Sequence, residues 1–349
     1  MKNLNKFVFF KKNRKESVPA NIEYVKSIQS KIKSIISKKT INQKQILITG
    51  GLGFVGYHLV KKLVAKNYFP IIIDNLSNSS VSSLSGIFKE KYFFAKIDIR
   101  NLVEIKKAVS DFNPKIIIHL AALHFIPYCN KHPKEVLKVN LKGTENILKI
   151  AKQFKVNNFL FASTAAVYAP SNRRHTENST LEPMDIYGQS KKLAEEKIIN
   201  CVAENQTLKF VILRLFNVYG YGDNTPHFIP AMIKKIKSNS KIFVGNLETI
   251  RDYIYVDDVI DAIFKIIKKD ENFNNQIYNL GTGNGINGAD AIKLITHCFK
   301  KNLSTKQDKT LLRKIDQPKL VADIRKFSKK YNWSPKYNIK KGLKKLCEK

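Results

Sequence analysis

From Gln45 onward, short apolar runs alternate with amphipathic stretches, and no other feature restricts the possible folds as much. The runs are Ile46–Thr49, Pro70–Asp74, Tyr92–Ile97, Lys115–Leu120, Phe159–Ser163 and Lys209–Leu215. Each is rich in Ile, Val or Phe, as strands buried on both faces are. The segments between them, such as Tyr57–Lys66 and Glu135–Phe154, place apolar residues at helical spacing. This alternation predicts an α/β fold with a doubly wound parallel sheet and helices on both of its faces.

At 349 residues the chain exceeds one average domain. The alternation predicts a sheet domain over 45–222, with 250–281 returning to it. After Gly220 the pattern loosens into a basic helix near Phe228, a short strand near Ile242 and a Lys-rich helical end over 323–349. Residues 223–349 are therefore expected to form mainly a smaller α+β domain. Residues 1–44 are a basic extension in which Ile22, Val25, Ile28, Ile32, Ile35 and Ile36 recur at helical spacing. A helix there is expected to pack on the next domain or on a second subunit; a membrane-surface helix is the alternative.

The formal net charge is +34, from 62 basic and 28 acidic side chains. Such an excess attracts nucleic acid, anionic membrane or phosphorylated small molecules. The lysines, however, are spread along the whole chain among many Ile and Asn residues, and no nucleic-acid-binding motif occurs among them. No nucleic-acid partner is expected. Cys129, Cys201, Cys298 and Cys347 have no CxxC or Cys/His spacing, so free thiols and no metal site are expected. No apolar run reaches the ~18 residues that span a bilayer, and Phe7–Phe10 is too short for a secretory leader. The expected location is the cytoplasm, without integral membrane contact.

The first strand runs into Thr49-Gly50-Gly51-Leu52-Gly53-Phe54-Val55-Gly56. The stretch reads as G-x-G-x-x-G through Gly51, Gly53 and Gly56, and equally as G-x-x-G-x-x-G through Gly50, Gly53 and Gly56. Glycine serves here for a tight turn, for close backbone approach to a pyrophosphate and for helix–strand packing. The following helix points its first amides at the phosphates. The next strand ends at Asp74, 18 residues past Gly56, where a carboxylate can hold a ribose 2′-OH and repel a 2′-phosphate. The expectation is a Rossmann-type domain that binds NAD.

Tyr187-Gly188-Gln189-Ser190-Lys191 sets a phenol and an ammonium four residues apart, on one face of a helix. A nearby Lys⁺ favours the phenolate and so makes tyrosine a better base. Upstream, Ser163 and Thr164 stand at a predicted strand end, where open α/β sheets bind their ligands.

These motifs, in this order, resemble the extended short-chain dehydrogenase/reductase family, and further stretches carry the resemblance over nearly all of 45–349. Asp98-Ile99-Arg100 is similar to the family's adenine-side motif and His119-Leu120-Ala121-Ala122 to its fourth-strand motif. Asn140 matches the helix Asn, Arg214–Gly220 the R-x-F-N-x-Y-G segment, and Arg251–Asp258 the R-D-[FY]-x-x-V-x-D segment. Arg313-x-x-Asp316 resembles the late uridine-diphosphate segment. The resemblance implies that Gly50, Gly53, Phe54, Val55, Gly56, Asp74, Asn75, Asp98, Ile99, Leu120, Ala121, Ala122, Asn140, Tyr187 and Lys191 hold NAD. It implies a homodimer and a UDP-sugar substrate held by Ser163, Thr164, Asn217, Arg251, Arg313 and Asp316.

Within the family, dehydratases resemble one another in an Asp-Glu pair after the strand-end hydroxyl, and sugar-acid decarboxylases often carry Glu there. This chain has Ala165 and Ala166, which carry no transferable proton. The group it most resembles is the UDP-glucose 4-epimerases, with Thr164, Tyr187 and Lys191 as catalytic residues. A 4,6-dehydratase with an unusual acid or base and a non-catalytic sugar-nucleotide or NAD sensor are the alternatives. The chain departs from the pattern at His124, where many galactose-type epimerases have Lys, and at Ala169, where Gly is usual. Leu320 stands where a bulky Tyr restricts the sugar's 2-substituent in some epimerases, so an N-acetyl group is expected to fit.

Overall fold

The computed structural model describes residues 44–80, 84, 87, 91–204, 207–238, 242–269, 273–301, 305–308, 311 and 317–348. The helix expected within 1–44 lies outside the described residues. The first elements are β1 (Gln45–Thr49), α1 (Phe54–Ala65), β2 (Phe69–Asp74), β3 (Phe93–Lys96), α2 (Leu102–Val109) and β4 (Ile116–His119). Next come α3 (Ile126–Lys131), α4 (Pro133–Val136), a π-helical turn (Leu137–Lys142), α5 (Gly143–Gln153), β5 (Asn158–Thr164), α6 (Ile186–Glu204), β6 (Lys209–Leu215) and β7 (Asn217–Tyr219). The remainder is α7 (Phe228–Lys237), β8 (Ile242–Val244), β9 (Ile250–Tyr255), α8 (Val256–Lys269), β10 (Gln276–Leu280), β11 (Gly285–Asn287), α9 (Gly288–Cys298), β12 (Thr305–Gln307), β13 (Lys319–Leu320), α10 (Arg325–Tyr331) and α11 (Ile339–Cys347).

The large sheet runs in the order β3-β2-β1-β4-β5-β6-β10. Up to β6 this is the strand order of a Rossmann sheet, and β10 joins the outer side of β6 in parallel, with Ile277 opposite Ile212. The expected fold class holds. β1 lies between β2 and β4, with Ile48 opposite Ile72 and Ile118. Burial on both faces explains its composition: Ile46, Leu47 and Ile48 have no exposed surface. The strand order reverses between β1 and β4, so the carboxyl ends of those strands flank the crevice where such sheets take ligands.

The chain forms two compact units. The first takes in the described part of Met1–Ala122 with Lys142–Leu160 and Asn200–Lys209; the second takes in Leu123–Leu141, Phe161–Ile199 and the described part of Phe210–Lys349. In the second unit β9 is the hub of a small sheet: Arg251 faces Ile286 of β11 and Leu320 of β13, and Tyr253 faces Asn217 of β7. The Asp252 carboxylate in β9 is fully buried. It accepts from Thr282 N (2.8 Å) and Oγ1 (2.5 Å), Gly283 N (2.9 Å) and Ala322 N (3.2 Å). Burial pushes its pKa up, against the pull of those donors.

The stretch Glu135–Phe154 reads as one amphipathic helix, and the structure keeps it helical through Gln153 with a π turn inside it. The π turn at Leu137–Lys142 joins α4 to α5 with one wide turn, a feature frequent at functional sites. On the far side Gly143 sits so close to Ile99 that a Cβ would lie 2.5 Å from its Cδ1. Periodicity cannot show one extra residue in a turn, because the apolar stripe resumes beyond it.

Candidate active site

In the first unit, β1 ends in a turn built on backbone contact. Gly50 has φ of +68°, a conformation L side chains rarely adopt, and a Cβ there would lie 2.7 Å from the Ala121 nitrogen. A Cβ on Gly56 would lie 2.2 Å from the Gly50 oxygen, whereas one on Gly51 would first meet the Ile72 Cγ2 methyl at 2.8 Å. The backbone limits thus fall on Gly50 and Gly56, while a Cβ on Gly53 would lie 3.3 Å from the Gly50 oxygen. Phe54 and Val55 open α1, whose N-cap Gly53 offers no capping side chain and whose first turn holds no acid. Those amides are left to an outside acceptor, as an anion site at a helix start requires.

Asp74 ends β2 and is 8% exposed. Its carboxylate accepts from Leu52 N (3.0 Å), Leu76 N (2.9 Å) and Ser79 Oγ (2.9 Å). Leu76 takes a left-handed φ of 62° to make its bond. Such a conformation costs about 1–3 kcal/mol for a non-glycine residue and clusters at ligand sites. Asn75 donates to Asp98 (3.0 Å), which also pairs with Arg100 at 2.7 Å. Burial pushes the Asp98 pKa up, but the hydrogen bonds and charge of Arg100 outweigh it and hold it at about 2. Ile99 packs on Gly143, and its carbonyl accepts from Asn146 (3.0 Å). Leu120 N donates to the Thr49 carbonyl (3.1 Å), and Ala121 stands against Gly50; Ala122 closes the first stretch of the unit. A close-packed glycine turn, an uncapped helix start and a fixed acid at the end of β2 fit the pyrophosphate and ribose of a dinucleotide.

In the second unit the catalytic candidates meet where α6 packs against the end of β5. A Cβ on Gly188 would lie 2.3 Å from the Ala166 oxygen, so glycine lets the helix close onto the Ala165–Val167 turn. That approach brings the Tyr187 and Thr164 side chains into a hydrogen bond. Burial pushes the Tyr187 phenol well above its ordinary value, and the Thr164 bond only partly offsets this. In the free protein burial therefore dominates the effect expected from Lys191. Lys191 itself is 2% exposed, with Nζ 3.9 Å from the centre of the Phe161 ring. Burial drives its pKa down to about 7, against the support of Glu195.

Asn140 lies in the π turn and is buried. It accepts from Leu123 N (2.8 Å) and donates to Leu123 O and Ser190 Oγ (both 2.9 Å). It thereby ties the chain after β4 to α6 between Tyr187 and Lys191. The sequence places Ser163 with the substrate; the structure instead gives its hydroxyl to Glu195 in the core. Successive strand residues face opposite sides, so Thr164 turns to Tyr187 and Ser163 away from it. Asn217 donates to the Asp252 carbonyl (3.1 Å), and Arg251 to the carbonyls of Ile250 (3.0 Å) and Gln317 (2.9 Å). Arg313 and Asp316 lie outside the described residues.

Sequence reasoning marked His124 only as a departure from the family pattern, and missed both its neighbour His227 and the place of Glu195. His124 lies 5.2 Å, centre to centre, from the His227 ring, whose Nδ1 is 3.1 Å from Asp223. Burial, then the charges of His227 and Lys191, hold the His124 pKa at about 4 despite Asp223. Glu195 is the other omission; its place one turn beyond Lys191 on α6 was the available signal.

The model of the NAD dependent epimerase/dehydratase family matches residues 46–281. An uncharacterised protein of Methanocaldococcus jannaschii is 33% identical over 87% of this chain and 95% of its own. A putative UDP-glucose 4-epimerase of the same organism is 30% identical over 86% of this chain and 96% of its own. The solved structure of a UDP-glucose 4-epimerase of Thermotoga maritima, with UDP-glucose, shares 29% identity and a TM-score of 0.80, covering 87% of this chain and 97% of that one. The chain belongs to the NAD dependent epimerase/dehydratase family. It is a nucleotide-sugar enzyme with NAD as its cofactor, and its likeness is to the UDP-glucose 4-epimerases.

Proposed function

We propose that the enzyme interconverts the C4 epimers of a UDP-linked sugar, of the glucose/galactose type, N-acetylated or uronic acid forms included. One observation carries this reading: Thr164, hydrogen-bonded to Tyr187, stands before a turn of Ala165, Ala166 and Val167 that holds no proton-carrying side chain. Proton traffic at the sugar then falls to a single phenol, which suits a reaction that removes one proton and returns it.

NAD, when bound, supplies the acceptor and donor of the C4 hydride. Gly50, Gly53 and Gly56 with the start of α1 at Phe54 and Val55 hold its pyrophosphate, and Asp74 holds its adenosine ribose. Asn75, Asp98 and Ile99 line the adenine side, and Leu120, Ala121, Ala122 and Asn140 the nicotinamide side. Tyr187, as phenolate, takes the proton of the sugar 4-OH and gives it back to the 4-oxygen after the 4-keto sugar has turned over. Thr164 hydrogen-bonds that oxygen. Protonated Lys191, one helical turn on, supplies the positive charge that favours the phenolate against burial. Arg251 and Arg313 hold the diphosphate, since guanidinium groups bind phosphate through paired hydrogen bonds; Asn217 and Asp316 take sugar or ribose hydroxyls. Residues 45–222, with 250–281 returning to them, serve mainly the dinucleotide and the rest of 223–349 mainly the sugar nucleotide, in a homodimer.

Proton NMR of the protein with UDP-glucose, UDP-N-acetylglucosamine or UDP-glucuronate, with and without added NAD, tests the reading. A C4 epimer is expected, and Tyr187→Phe is expected to cut its rate by about 10²-fold or more. A 4-keto-6-deoxy product would replace the epimerase reading with a dehydratase, and no product in any tube would favour a sensor.

A further inference from the structure

We propose that Glu195 and Arg214 act as a pair of positioning residues that sets the charge on Lys191. The proposal rests on the catalytic role given to Lys191 above, though its first test does not require turnover. Phe161 and Ser163 share one face of β5. The Phe161 ring lies under Lys191 Nζ at 3.9 Å, and the Ser163 hydroxyl donates to Glu195. Lys191 and Glu195, four residues apart, share one face of α6. One strand face thus meets the two buried charges of α6, the ammonium over a ring and the carboxylate on a hydroxyl.

The carboxylate has a second claimant. Arg214, 2% exposed, donates to Glu195 through Nε at 3.1 and 3.3 Å and through the second guanidinium nitrogen at 2.7 Å. Its remaining nitrogen donates to the Tyr168 hydroxyl (3.1 Å) and the Glu177 carbonyl (2.9 Å), and Tyr168 donates on to Asn279 (2.6 Å). Arg214 is thus fixed by neutral groups on one side and by Glu195 on the other. Arg214 thus pairs with Glu195 directly, while Lys191, on the same helix face, feels the charge of that carboxylate.

A buried ammonium without a counter-charge gives up its proton. Glu195 supports the charged form of Lys191, and Arg214, permanently charged, draws on the same carboxylate. Of the other groups around Lys191, His124 is neutral above about pH 4, and Tyr187 keeps its proton in the free protein. The balance therefore lies between Glu195 and Arg214. Removing the carboxylate must favour neutral Lys191, and removing the guanidinium must favour the charged form.

The test is the titration of Lys191 in ligand-free protein carrying ¹³Cε-labelled lysine, with its signal assigned by loss in Lys191→Met. The midpoints should rise in the order Glu195→Gln, the double variant Glu195→Gln/Arg214→Met, wild type, Arg214→Met. The two single variants should each move by about one pH unit or more. Circular dichroism checks folding. If Glu195→Gln does not fold, the upward shift of Arg214→Met decides. If neither single variant folds, the charge-balanced double variant must still fall below wild type. Midpoints within experimental error of wild type in every folded variant would overturn the proposal. The acid limb of the epimerase rate should follow the same order. Ordered midpoints without any epimerase activity would leave the charge pair standing and remove the assigned reaction; activity with unmoved midpoints would do the reverse.

Discussion

Replacing Lys191 by Met tests the cost of its buried charge through stability alone. The ammonium is 2% exposed, and burial holds its pKa at about 7 against the usual 10.5. The unfolded chain therefore keeps this proton up to about pH 10.5, and the folded chain only up to about pH 7. Between those values the unfolded state binds the extra proton, so this group makes stability rise with pH. Below pH 7 both states are protonated, and the folded state bears the whole burial cost. At about 1.4 kcal/mol per unit of pKa difference, the full window is worth about 5 kcal/mol. Integration from half-titration at pH 7 leaves roughly 2 kcal/mol of that between pH 7 and 9. Met keeps the side chain's length and has no proton to release. Urea unfolding of ligand-free protein at pH 7, 8 and 9 should show the stability of Lys191→Met relative to wild type shrinking by roughly 2 kcal/mol across the range. Tyr187 does not disturb the comparison, because below pH 9 it is protonated in both states. A relative stability constant with pH would refute the reasoning, since Lys191 would then hold its proton as an exposed lysine does.

Gly56→Ala should abolish retention of NAD and lower stability by about 1–3 kcal/mol, because a Cβ 2.2 Å from the Gly50 oxygen must push α1 off the turn; calorimetric titration with NAD and thermal melts check this. His124 takes its proton near pH 4 when folded and near 6.5 when unfolded. Wild type should therefore lose up to about 3 kcal/mol as pH falls through that window, and His124→Gln should lose that part of the slope in urea melts. Leu320 packs half-buried against the cluster of Ala165, Val167, Tyr168, Phe216 and Ala322. UDP-N-acetylglucosamine is expected to be turned over, and Leu320→Tyr to raise the KM for it more than for UDP-glucose, read by coupled assay of each.

The sheet was legible because its strands are buried on both faces, which leaves Ile-rich runs such as Ile116-Ile117-Ile118 that no amphipathic helix produces. The glycine turn was legible too, but not which three glycines matter. That needed the distance from Gly50 to the Ala121 backbone, and no local pattern reports the approach of a strand seventy residues away. Tyr187 and Lys191 announce themselves by helical spacing. Ser163 misleads for a physical reason: neighbouring hydroxyls on a strand point to opposite faces, and only the fold tells which one meets Tyr187. The pairing of Glu195 with Arg214, and of His124 with His227, joins residues on different elements that no local pattern connects. Each looks like an ordinary surface charge or core histidine until the elements are packed.

Asp252 also bears on how this chain is made. Its carboxylate is buried among donors that follow it by 30 residues at Thr282 and by 70 at Ala322. At ribosomal speeds of about 5–20 residues per second, roughly 4–14 seconds pass between synthesis of the acid and of its last partner. During that interval β9 carries an anion that cannot yet be enclosed at tolerable cost. The full donor set that encloses Asp252 therefore exists only once residue 322 has been made.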